Sequence, residues 1–177
     1  MNYFQWNMFF CRRNTYDFKA AGVVFTNGTH FLAAQQPLKP TPMISGIGGS
    51  RELGETFMIT AIRETLEELL GLKNVPKRLI TILIESVPSN KVIKNGSYVF
   101  IIYNFDNLLK ILEIVKGFGI ISPLYKNFPE NLLDLLLLRI INPSAELSHL
   151  VLLPLVPNLH IDNNMLTDIP QIIAALE

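Results

Sequence analysis

Three glutamates, Glu64, Glu67 and Glu68, stand at i, i+3 and i+4 in the stretch Gly48 to Leu72, which reads GGSRELGETFMITAIRETLEELLGL. As a helix from Thr56 to Leu70, the stretch puts all three carboxylates on one face. Like charges so placed repel, at about 0.2–0.5 kcal/mol for each i,i+4 pair. A cation removes that repulsion, and carboxylate oxygens are the ligands that Mg2+ and Mn2+ prefer. A divalent ion held there can neutralise negative charge on a bound group and lower the pKa of a bound water.

The residues around the glutamates carry a resemblance. Gly49, Glu55, Arg63, Glu64, Glu67 and Glu68 fall at the spacing G-x5-E-x7-R-E-U-x-E-E-x-G-U, with U a bulky aliphatic residue, so the stretch resembles the Nudix box. Six such identities match by chance in roughly 1 in 10^5 chains of this length. The pattern departs in two places. Thr65 takes the first aliphatic position, keeping a branched methyl. Leu70 stands where glycine is expected and Gly71 follows it, which predicts a helix one residue longer before its terminal glycine.

The resemblance implies an α/β fold: a mixed β-sheet sandwiched between helices. It implies that Glu64, Glu67, Glu68 and the Gly48 carbonyl hold Mg2+, with Mn2+ as a substitute and Glu52, an acidic residue on the loop, joining the outer shell of the metal site. Arg63 is then a clamp between helix and loop, and Glu55 pairs with it or supports the water shell. For the general base it offers Glu68 or Glu67 first and Glu146 second. Glu146 opens AELSHLVLLPLVP (residues 145–157), which resembles the late Nudix strand that follows an acidic residue. The implied reaction is hydrolysis of a pyrophosphate bond in a nucleoside diphosphate linked to another moiety. Three alternatives stay open: an mRNA-decapping enzyme, a diphosphoinositol polyphosphate hydrolase, and a catalytically silent Nudix-fold nucleotide-binding module.

Composition bounds these choices. A length of 177 residues, 49% of them apolar, fits one domain with a substantial core and is compatible with a homodimer. Fifteen basic and 15 acidic residues give zero net charge. Without a polybasic run, a small nucleotide-like substrate is favoured over long nucleic acid. Cys11 is the only cysteine, so no internal disulfide forms, and a reducing, cytoplasmic compartment is expected. Residues 1–11 lack the leading positive charge of a signal peptide. The apolar run Leu132 to Ile141 contains Asp134 and Arg139, so no membrane span is expected.

The elements that must position the carboxylates read as follows. Ala20 to Phe25 and His30 to Gln35 are strands joined through Asn27-Gly28, a hairpin signal. Pro37, Pro40 and Pro42 mark a loop, Met43 to Ile47 a short strand, and Gly48 to Glu55 a loop. Leu79 to Val87 and Ser97 to Phe105 read as strands, and Pro88 to Gly96 as a polar loop whose Lys91 and Lys94 could face phosphate or solvent. Asn107 to Lys116 and Asn131 to Ile141 read as helices, and residues 106–142 form a helical insertion or elaboration. A last helix runs from Asp168 to Leu176, with Thr167 as its N-cap. Phe4, Trp6, Phe9 and Phe10 serve either as packing or as a binding surface, and Arg12 and Arg13 as solvated charges. His30, His149 and His160 are expected at the surface.

Overall fold

A computed structural model of the chain describes residues 17–36, 43–141, 147–156 and 168–177. The aromatic N-terminal stretch, the proline loop at 37–42, Glu146, His160 and Thr167 lie outside those residues.

β1 (Ala20–Phe25) is apolar on both faces, and Ala21 through Phe25 are all buried. A strand of that kind belongs in the middle of a covered sheet. β4 (Ile47–Ser50) pairs antiparallel with one of its edges, and β6 (Tyr98–Tyr103) pairs parallel with the other. β5 (Lys91–Asn95) lies antiparallel outside β6, completing a mixed four-stranded sheet in the order β4-β1-β6-β5. A second sheet is antiparallel and three-stranded: β3 (Met43–Ser45), β2 (His30–Gln36) and β7 (Leu150–Pro154).

Five helices complete the described residues: α1 (Phe57–Leu70), α2 (Lys77–Ser86), α3 (Phe105–Gly117), α4 (Leu132–Leu137) and α5 (Ile169–Leu176). One face of the four-stranded sheet, with Val23, Phe25 and Ile101, packs with Ile62 and Leu66 of α1, Leu83 of α2 and Leu112 of α3. The other face, with Val24, Phe100 and Ile102, packs with Phe31 and Ala33 of β2 and Ile169 and Ile172 of α5. The α/β architecture is thus the expected one, with the second sheet joining α5 on one side. Among the described residues no helix is long and apolar enough to cross a membrane.

Four local expectations are corrected. Leu79 to Val87 is not a strand: α2 covers Lys77–Ser86. Its Ile and Leu content suits a strand, but Leu79, Ile80, Leu83 and Val87 are buried at helical spacing. Pro88 to Gly96 is not all loop, because Lys91–Asn95 is edge strand β5. Of the expected hairpin only the turn survives. Asn27 Oδ1 accepts the backbone N–H of His30 at 2.8 Å, and Thr26 bridges to Phe31, but β1 and β2 then enter different sheets. Both edges of β1 are taken by β4 and β6, which leaves none for β2. Lastly, Gly48 to Ser50 belong to β4 rather than to a loop.

α1 forms as read. The Thr56 hydroxyl accepts the N–H of Ile59 at its start. The helix runs through Leu70 and ends at Gly71, whose φ of 68° is left-handed. The displaced glycine therefore ends a longer helix rather than disrupting it.

Candidate active site

β4 lies beside α1 and brings backbone against carboxylates. The Gly48 N–H donates to Glu68 Oε2 at 2.6 Å. A Cβ on Gly49 would fall 2.5 Å from the Glu64 carboxyl group, so glycine is what allows this approach. Glu68 is only 7% exposed, which makes it a carboxylate held largely out of water.

Arg63 ties the remaining carboxylates together. Its Nε donates to Glu55 Oε1 at 2.8 Å and its Nη2 to Glu55 Oε2 at 3.0 Å, a forked pair. Nη1 donates to Glu64 Oε1 at 2.8 Å and to Glu67 Oε2 at 3.0 Å. Nη2 also reaches the Ser50 carbonyl of β4 at 2.8 Å. One positive charge thus faces three carboxylates before Glu68 is counted. Hydrogen bonding to Glu55 leads in raising the Arg63 pKa, against its burial, so Arg63 stays charged at every working pH.

Glu55 closes the loop onto the helix. Its Oε2 accepts from the Thr60 hydroxyl at 2.8 Å and from the Glu52 N–H at 3.0 Å. Burial raises its pKa, but the Arg63 hydrogen bond, the Glu52 N–H, the Thr60 hydroxyl and the Arg63 charge together outweigh that and hold it at about 2. A depressed carboxylate pKa stabilises the fold above the unfolded-state value of 4.5, and that contribution disappears as pH falls through about 2. At neutral pH, Glu55→Gln is expected to cost on the order of 2–3 kcal/mol. The gap to the parent chain should narrow between pH 4.5 and pH 2, read by urea unfolding across that range. A gap that is the same at both ends of the range would contradict the pairing.

The structure therefore brings together Glu55, Arg63, Glu64 and Glu67, and sets Glu68 against Gly48. Glu52 is exposed and enters through its backbone. Among the described residues, no three His, Cys, Asp or Glu side chains form a metal-holding group. Glu64 and Glu67 turn to Arg63 instead, and Glu68 to the Gly48 N–H. The donor set nevertheless fits a hard divalent ion. It is all oxygen, it is crowded onto one helix face, and its negative charges outnumber the guanidinium that they share.

Several participants were not singled out by sequence reading. Thr60 and the Ser50 carbonyl leave no signal beyond their place inside the box. The Tyr98 hydroxyl lies where a Cβ on Gly22 or on Gly48 would meet it at 2.3 Å, so it packs against the β1–β4 glycine pair. Burial first, then the charges of Glu68, Glu64 and Asp168, push its pKa well above the usual range, and it remains a neutral phenol. Arg139 binds the far end of α1, and a charge inside the run Leu132 to Ile141 was the available clue. Of the expected surface histidines, His30 and His149 are exposed.

No family model and no curated sequence matches the chain. Among solved structures, a bifunctional NMN adenylyltransferase/ADP ribose pyrophosphatase from Francisella tularensis is similar at 20% identity and a TM-score of 0.44, over 96% of this chain and 43% of that one. That enzyme is also known in complex with AMP and a manganese ion. A mutT/nudix family protein from Listeria innocua is similar at 17% identity and a TM-score of 0.38, over 90% of each chain. The E. coli ORF135 protein is similar at 17% identity and the same TM-score, over 89% of this chain and 86% of that one. The chain spans less than half the length of the Francisella enzyme. Likenesses this remote carry no weight for activity.

Proposed function

We propose that the chain is a pyrophosphohydrolase that cleaves a phosphoanhydride bond in a nucleoside diphosphate linked to another moiety, with Mg2+ or, in its place, Mn2+. The observation that carries this reading is the crowding of Glu64 and Glu68 against the Gly48–Gly49 backbone, with a single guanidinium shared among Glu55, Glu64 and Glu67.

Glu64, Glu67, Glu68 and the Gly48 carbonyl would hold the divalent ion. When bound, it neutralises phosphate charge and lowers the pKa of a water. The rest falls to the chain itself. Arg63 and Glu55 fix α1 against β4, so the carboxylates keep their spacing. Glycine at 49 keeps a side chain out of the space beside the Glu64 carboxyl group. Glu68 or Glu67, the latter with its side chain one-third exposed, would take a proton from an attacking water. Glu146 remains the alternative base.

Metal binding tests the reading without a known substrate. Titrating Mn2+ and following the free ion by electron paramagnetic resonance should give saturable binding to the parent chain and binding weakened about tenfold or more in Glu68→Gln. Equal binding by both would remove Glu68 from the ligand set.

A further inference from the structure

An α-helix leaves its last four carbonyls without partners inside the helix. In α1 these belong to Glu67, Glu68, Leu69 and Leu70, the turn that carries two box carboxylates. The Glu67 carbonyl accepts from the Gly71 N–H at 2.8 Å. The other three are met from far along the chain. Arg139 Nη2 donates to the Glu68 carbonyl at 2.8 Å, Arg139 Nη1 to the Leu69 carbonyl at 2.8 Å, and the Ser122 hydroxyl to the Leu70 carbonyl at 2.6 Å. Arg139 also reaches the Leu147 carbonyl at 3.1 Å and the Tyr125 hydroxyl at 3.3 Å. The guanidinium thus sits at the negative end of the helix dipole and spans two adjacent carbonyls with its planar fork.

Glu68 is consequently pinned twice: its carbonyl by Arg139 and its carboxylate by the Gly48 N–H. The turn that Leu70 lengthens, where the box pattern has glycine, is the turn that this clamp grips. We infer that Arg139 is a positioning residue for the active site, fixing the register of the last turn of α1 and so the direction in which Glu67 and Glu68 point. This rests on reading those carboxylates as the metal-holding set. Segment 118–141 thereby anchors the catalytic helix from behind. Leu147, another of its partners, follows Glu146 in the chain, so one guanidinium joins the box helix to the residue after the alternative base.

The test compares Arg139→Met with Ser122→Ala, which removes a cap from the same helix end but touches neither box glutamate. Hydrogen exchange of the Gly48 amide, followed by NMR without metal or substrate, reports directly on Glu68. In Arg139→Met it should speed up about tenfold while the amides of Val23 and Val24 hold, with Mn2+ affinity and kcat falling about tenfold and KM nearly constant. Ser122→Ala should lose thermal stability but keep Gly48 exchange, Mn2+ affinity and kcat. Unchanged Gly48 exchange in Arg139→Met, or parallel losses in both variants at equal loss of stability, would overturn the inference. Should Arg139→Met fail to fold, Arg139→Lys carries the comparison, because an ammonium cannot span both carbonyls; faster Gly48 exchange supports the inference and parental exchange overturns it. A parent chain that binds no Mn2+ would overturn the reading of the site, which the metal-free Gly48 exchange keeps separate from the positioning role.

Discussion

Glu67→Gln and Glu68→Gln should each cut metal-dependent turnover about a hundredfold or more, while the fold persists and its stability holds or rises. The two effects have opposite signs for a physical reason. Glutamine keeps the size and one carbonyl oxygen, so Glu68→Gln can still accept from the Gly48 N–H, and Glu67→Gln from Arg63. What is lost is a negative charge among like charges, and that loss relieves repulsion in a helix turn where stability alone would favour neutral residues. Replacing a surface carboxylate outside the mechanism would change neither activity nor stability. Urea unfolding beside initial rates separates the cases, and near-normal activity in both variants would remove these residues from the mechanism. Glu146→Gln is expected to lose less than either. A loss equal to theirs would make Glu146 the base.

Arg63→Met should do the reverse, with stability as the main casualty. Arg63 is 8% exposed and hydrogen-bonds Glu55, Glu64, Glu67 and the Ser50 carbonyl. Its removal leaves three clustered carboxylates without their shared counter-charge, at a cost of about 3–5 kcal/mol, the usual range for breaking a buried pair from one side. A divalent ion held by the same carboxylates restores part of that charge balance. Saturating Mn2+ should therefore raise the Tm of Arg63→Met more than that of the parent chain. A loss below about 1 kcal/mol, typical of an exposed ion pair, would mean that the network is ornamental.

How far the sequence foretold this molecule depends on the range over which each feature is decided. α1 was legible from its ends and its face together: Thr56 caps it, Gly71 stops it, and the carboxylates share one side. β1 and β6 were legible because buried strands read as unbroken apolar runs. α2 was misread because Ile, Leu and Thr crowd it, although the spacing of Leu79, Leu83 and Val87 held the helical period. β5 was missed because an edge strand of Lys, Val, Ile, Lys and Asn is polar and half exposed. The Asn27-Gly28 turn formed as its local chemistry dictates, but strand partners are chosen by the whole sheet. Within the site, the Arg63 contacts span at most 13 residues and followed from the box, whereas the Arg139 bonds reach 70 and 71 residues back, and the charge inside an apolar run was their one trace in the sequence.

The most direct measurement is release of phosphate or nucleotide across a substrate panel: nucleoside triphosphates, ADP-ribose and other nucleotide sugars, dinucleoside polyphosphates, coenzyme A, capped RNA and diphosphoinositol phosphates. Each is assayed with Mg2+, with Mn2+ and with chelator, beside Glu67→Gln. The expected result is turnover of one class of nucleoside diphosphate derivative that requires the metal and disappears in the variant. A folded chain silent across the whole panel, or turnover untouched by chelator and by Glu67→Gln, would contradict metal-dependent hydrolysis at this helix; silence with a nucleotide bound would point to a binding module.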